Sequence, residues 1–187
     1  MKNLLMVCAT LYLLAIHLPA AQAQQAPFPP GRVDYDAYEK LVIAVKEHRK
    51  QRLVRLDRFL EMSEEKGVLI LDTRSDEMYR RKHLKGAVHL NFSDFTQENL
   101  AALIPDPGTK ILIYCNNNID GDEIHFPTKA AKPALIGKAI EPITLALNIP
   151  TYINLYGYGY RNVYELSELV PALIGKAVFE GTEVSGQ

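Results

Sequence analysis

The sequence predicts an α/β fold: a central parallel sheet of about five strands with helices on both faces. Two observations carry that expectation. Short continuous apolar runs at Val68–Leu71, Ala87–Leu90, Ile111–Tyr114 and Tyr152–Leu155 alternate with helix-like stretches at Asp76–Lys82, Gln97–Leu103 and Lys132–Leu147. Runs without polar alternation suit strands buried on both faces, as in a parallel sheet. Each run also ends at a polar or turn-forming residue: Asp72, Asn91, Cys115 and Tyr156-Gly157. Ligands of such sheets bind beyond the carboxyl ends of the strands, so Cys115 stands where chemistry is expected.

The elements before the sheet follow from the amino terminus onward. Lys2, the apolar run Leu4–Leu18 and the small-x-small triplet Ala21-Gln22-Ala23 have the layout of a secretory signal peptide cut after Ala23. The run is shorter than the ~20 residues a bilayer span needs, so no membrane anchor is expected after cleavage, and the mature chain is expected to be periplasmic or secreted. Residues 24–52 read as a leader rich in proline (Pro27, Pro29, Pro30) followed by a helix with the stripe Tyr38, Leu41, Val42, Val45. The basic run Lys46–Arg52 is expected to be a solvated helix face. A second helix is expected over Asp57–Lys66, with Phe59, Leu60 and Met62 inward and Gly67 closing it. Residues 53–187 are expected to form one domain.

Composition excludes several classes of function. With 48% hydrophobic and 23% charged residues the chain is globular, and a net charge of -1 offers no field for a phosphate backbone, so no nucleic-acid partner is expected. Its two cysteines include no C-x-x-C pair, which excludes a disulfide framework and a paired-cysteine zinc site. Cys8 lies in the signal segment, leaving Cys115 alone in a compartment that normally oxidises thiols.

Cys115 opens the polar stretch Asn116-Asn117-Asn118-Ile119-Asp120-Gly121-Asp122. Asparagine and glycine tolerate left-handed backbone angles, so consecutive N–H groups of this loop are expected to converge on the sulfur. Such donors favour the thiolate, and residues 116–121 become the expected substrate-binding loop. A calcium reading of Asn116-x-Asn118-x-Asp120-Gly121 fails at its twelfth position, Pro127, where a bidentate glutamate is needed. His125 lacks companion ligands, and neither a metal nor any cofactor is expected.

With these residues in order, the chain from about Leu53 to Leu169 resembles a rhodanese-like (sulfurtransferase) domain. Asp72-Thr73-Arg74, then Glu77-Met78-Tyr79, then His83-Leu84-Lys85-Gly86-Ala87 are similar to the family's Asp-x-Arg, Glu-aromatic and Gly-His-Ile-Pro-Gly-Ala pattern, with Lys82 and Lys85 replacing glycine and proline. Cys115 occupies the position of the persulfide-forming cysteine. Tyr152–Leu155 with Gly157 and Gly159 is similar to the glycine turn before the last family helix. The resemblance implies that Cys115 takes sulfane sulfur from a small or protein-bound donor and passes it to a thiol acceptor. Asp72, Arg74 and His83 are expected to tie strand ends and loops together near the site.

The departures shape the expectation further. The loop has no cation before Lys129 and carries Asp120, Asp122 and Glu123, so weak thiosulfate activity is expected. Gly121 and Asp122 stand where a phosphatase branch of the fold needs arginine, which excludes phosphate-ester hydrolysis. The segment Asn116–Pro150 is longer than a loop and one helix require. The alternative is a non-catalytic binding module of the same fold, with Tyr156, Tyr158, Tyr160, Tyr164 and Arg161 as a protein-partner surface. The heptapeptide Pro-Ala-Leu-Ile-Gly-Lys-Ala, at Pro133–Ala139 and Pro171–Ala177, is too isolated to signal a repeat architecture.

Overall fold

The computed structural model describes residues 28–131, 144–173 and 178–184. The segment read as a signal peptide, the first heptapeptide copy and most of the second lie outside the described residues, as does most of Lys132–Leu147. Residues 28–33 are exposed and hold no helix or strand.

From Asp34 onward the chain forms one compact unit. It contains helices α1 (Tyr35–Lys50), α2 (Leu56–Ser63), α3 (Asp76–Arg81), α4 (Gln97–Leu103) and α5 (Asn148–Gly157). Its strands are β1 (Leu53–Val54), β2 (Val68–Asp72), β3 (His83–Leu84), β4 (Ala87–His89), β5 (Lys110–Ile113), β6 (Ile119–Asp120), β7 (Val163–Leu166), β8 (Val170–Pro171) and β9 (Phe179–Glu180). Five of them make the central sheet in the order β1-β7-β5-β2-β4, every pair parallel. Short ladders β3–β9 and β6–β8 stand apart from it.

The apolar runs become strands because both faces of the sheet are covered. On β5, Ile111 and Ile113 point to one side, with Val45 of α1, Leu100 of α4 and Tyr152, Ile153 and Leu155 of α5. Leu112 and the next residue, Tyr114, point to the other, with Phe59 and Met62 of α2, Phe126 and Phe179. The period of two along a strand delivers alternate side chains to two separate cores. Thr96 starts α4 by accepting the Asn99 N–H at 3.1 Å, and Asp34 starts α1 in the same way with Ala37 at 2.9 Å.

Four expectations are corrected. Tyr152–Leu155 is not a strand but the middle of α5, and the fifth strand of the sheet is Val163–Leu166. Thr151, Tyr152, Ile153 and Leu155 are all buried, so this helix is apolar around most of its girth and lacks the polar face that would have revealed its period. The glycine turn at Gly157 and Gly159 accordingly leads into β7, not into a final helix. The basic run on α1 is not uniformly solvated: Lys46 and Lys50 are exposed, but His48, Arg49 and Arg52 turn inward. Within Lys132–Leu147, the described part is not helical: Thr144 bridges Ala130, the Leu145 N–H donates to Lys129 O, and the helix starts at Asn148.

Candidate active site

β5 carries Tyr114 and Cys115 to the carboxyl end of the sheet, between the ends of β2 and β7. Cys115 is fully buried, and its Sγ accepts the Leu147 N–H at 3.1 Å. Leu147 immediately precedes α5, which has no side-chain cap. The sulfur therefore sits at the start of a helix whose first N–H groups carry partial positive charge.

The loop after the cysteine opens as a tight turn whose third residue, Asn118, forms a capping box with Cys115. Asn116–Asn118 form a single 3-10 turn, and no described residue other than glycine has positive φ. The chain reaches the left-handed region only at Gly121, φ +78°, after the turn is complete. Leu147, at the far end of the long segment, brings a backbone amide to the sulfur as well. Asn118 serves the scaffold: its Oδ1 accepts the Cys115 N–H at 2.9 Å, and its Nδ2 donates to Leu166 O and Glu168 O at 2.9 and 3.1 Å. Asn117 exchanges two hydrogen bonds with the backbone of Lys129. Ile119 is buried in the core, and β6 pairs with β8 through Asp120. Asn116 is buried, and its Oδ1 has no protein partner.

Beneath the loop lies a buried polar network centred on Asp72 and Arg74. The guanidinium grips the carboxylate through Nε and Nη2, and its remaining N–H groups donate to His125 O at 3.0 Å and Lys82 O at 2.7 Å. Tyr114 Oη donates to Asp72 Oδ2 and accepts the Leu84 N–H at 3.1 Å. Burial, then the Asp72 charge, pushes the Tyr114 phenol well above its ordinary range, so it remains a donor. Burial opposes the charge on Arg74, but Asp72 and Tyr114 outweigh it and hold the guanidinium above its usual value. Each hydrogen bond ends on backbone or on another network member, so Asp72 and Arg74 tie β2, β3, β5 and the loop at His125 together. His83 stacks on Tyr79 at 3.9 Å, and its ring nitrogens meet Tyr79 O and Glu180 Oε1.

The loop carboxylates differ in their surroundings. Asp122 pairs with Lys82 at 2.8 Å and with His125 at 2.8 Å. Burial alone would raise the Asp122 carboxyl, but Lys82 and His125 hold it below its ordinary value. Glu123 accepts from the Thr128 N–H and hydroxyl, whereas Asp120 is exposed. The tyrosine run is largely committed to structure as well. Tyr160 Oη donates to Ile104 O, Tyr158 Oη donates to Phe95 O, Tyr164 accepts from Arg52, and Arg161 lies 3.4 Å over the Tyr156 ring.

Sequence reasoning missed Leu147, Asn148, Arg49 and Glu165. Glu165 is a buried carboxylate on β7, held by Arg49 at 2.6 and 2.5 Å and by Asn148 Nδ2 at 2.5 Å. One signal was present: a lone acid in the middle of the apolar run Val163-Tyr164-Glu165-Leu166. A cleft of about 720 Å³ lies between α2 and the β3–β4 turn, lined by Phe59, Leu60, Leu84, Lys85 and Val178. Cys115 is not among its lining residues, so the chemistry of the sulfur and not the size of the cleft locates the candidate site. Among the described residues no cluster of three or more His, Cys, Asp or Glu could hold a metal ion, and no helix is long and apolar enough to cross a membrane.

A five-stranded parallel sheet with a cysteine at the carboxyl end of its central strand defines a class of α/β proteins, and comparison with known proteins identifies the family. The rhodanese-like domain family matches residues 55–168, and the chain belongs to it. Among solved structures it is similar to a rhodanese with anions from E. coli, at 16% identity, 60% of this chain, 96% of that chain and a TM-score of 0.36. It is also similar to the rhodanese-like domain of an Anabaena sp. protein, at 21% identity, 73% and 83% coverage and a TM-score of 0.43. A protein from Bacillus halodurans is similar at 14% identity, 75% and 86% coverage and a TM-score of 0.41. A comparison with curated proteins gives no match.

Proposed function

We propose that this protein is an exported sulfur carrier that holds sulfane sulfur as a persulfide on Cys115. The observation that carries the reading is the position of the Cys115 sulfur, at the end of the central strand with the Leu147 N–H and the start of α5 directed at it. In the first step the Cys115 thiolate attacks the sulfane sulfur of a donor X–S. An S–S bond forms, the X–S bond breaks, and the electron pair leaves with X. In the second step an acceptor thiolate attacks the outer sulfur, a new S–S bond forms, and the Cys115 thiolate is released. The cycle balances without a metal or cofactor, and its demands are a stabilised thiolate and a place for the outer sulfur.

The charge of the surroundings selects the donor class. The loop between Cys115 and Lys129 holds no cation, and Arg74 and Lys82, which reach it through His125 O and Asp122, are paired with Asp72 and Asp122. Persulfides of low charge, free or on a protein, fit better than thiosulfate. Export rests on the Lys2, Leu4–Leu18 and Ala21-Gln22-Ala23 layout.

The test is mass spectrometry of the protein after incubation with a sulfane donor. One added sulfur, labile to cyanide and absent in Cys115→Ser, is the expected outcome, and equal loading of both proteins would refute it. A second reading, a non-catalytic binding module, draws on the complete burial of Cys115. It calls for no sulfur on the native protein and for a partner held at the Tyr156–Tyr164 surface.

A further inference from the structure

We propose that Asn148 and Glu165 are positioning residues for the Cys115 sulfur, acting through the Leu147 amide; this rests on reading Cys115 as a sulfur carrier. Glu165 stands opposite Ile113 in the parallel β5–β7 pair, two residues before the cysteine on the neighbouring strand. A carboxylate buried there is costly unless it is paired and hydrogen-bonded. Arg49 reaches it from α1 with two N–H groups, and Asn148 adds a third donor from the first turn of α5.

Asn148 follows Leu147 directly, so the bond that holds its side chain also fixes the backbone whose N–H meets Sγ. The same turn is tied to the end of β2, where the Thr151 and Thr73 hydroxyls lie 2.9 Å apart. Asn148 Oδ1 is buried with no partner among the described residues, so the contribution of this side chain is its Nδ2 bond to Glu165. An arrangement of α1, β7 and α5 thus converges on one amide. A 1 Å retreat of that amide from 3.1 Å would break its hydrogen bond to the sulfur.

The readout is the ultraviolet absorbance of the Cys115 thiolate, taken as the difference from Cys115→Ser and followed over about pH 6 to 11. Asn148→Ala should move the ionisation curve to higher pH by about three- to tenfold in the ionisation constant. Asn148→Asp should move it further, because two carboxylates would then meet. Glu165→Asp keeps the charge but shortens the side chain, withdrawing the anchor from Asn148, and should move it the same way by about twofold. Tyr158→Phe, which loosens the opposite end of α5, should leave the curve unchanged. Wild-type curves in folded Asn148 variants overturn the proposal. If circular dichroism shows those variants unfolded, a wild-type curve in Glu165→Asp overturns it instead. Sulfur loading measured on the same proteins separates the two readings. A wild type that takes no sulfur while the variants shift removes the carrier and keeps the positioning role; normal loading with unshifted curves removes only the positioning role.

Discussion

Replacing Tyr114 by phenylalanine isolates the buried network under the site. The substitution removes only a hydroxyl, so packing around the ring between Phe126 and the sheet is kept. Two partners lose their bond. Asp72, which has no exposed surface, loses a donor to its charged oxygen, and the buried Leu84 N–H loses its acceptor. A hydrogen bond to a charged group contributes about 1.5–3 kcal/mol, and a buried donor left unpaired costs about 1–3 kcal/mol. Because the phenylalanine ring gains a little from burial, we expect a net loss of about 3 kcal/mol, a large share of a domain's typical stability. Urea unfolding should show a midpoint lower by about 1–2 M with an unchanged slope. A loss below about 1 kcal/mol at unchanged slope would mean that water reaches Leu84 and Asp72, and the sealed network described here would be wrong.

Three further outcomes follow from other contacts. Arg52 Nε donates to His48 Nε2 at 3.0 Å, so the ring is neutral, its Nδ1 donates to Tyr152 Oη, and Tyr152 donates on to Val163 O. Burial first, then Arg52 and Arg161, lower the His48 value, so the unfolded chain binds more protons. Stability should therefore rise with pH between the lowered folded value and the unfolded ~6.5, and the urea midpoint of His48→Gln should lack that part of the slope; an identical slope in the variant contradicts it. Gly181 sits at φ +135°, and a Cβ there would lie 2.5 Å from Arg81 O. Gly181→Ala should accordingly cost about 2 kcal/mol or more by thermal unfolding, whereas a neutral result would show that β9 can shift freely. For donor choice, kcat/KM for thiosulfate should fall at least about tenfold below that for a low-charge persulfide, since each missing charge-assisted bond is worth ~1.5–3 kcal/mol. Thiosulfate proving the better donor at low salt would defeat that charge argument.

The sequence by itself determined the class of fold and the place of the sulfur. Val68–Leu71, Ala87–Leu90 and Ile111–Tyr114 are apolar without alternation, and only a sheet covered on both faces buries them fully, so three strands and the strand end at Cys115 were legible. Asp72 and Arg74 were legible too, as a polar pair beside an apolar strand end. The tertiary structure decided what local pattern could not. Tyr152–Leu155 reads as a strand because its apolar run is short, and only enclosure by α1 and the sheet makes it a helix. The asparagines after Cys115 have the composition of an anion-binding loop, yet long-range bonds to Leu166, Glu168 and Lys129 use up Asn117 and Asn118. The Leu147 N–H bond to the sulfur and the pairing of Glu165 with Arg49 join residues 32 and 116 positions apart. Such contacts leave no periodic trace in the chain, because they depend on where the sheet brings its edges and helices together.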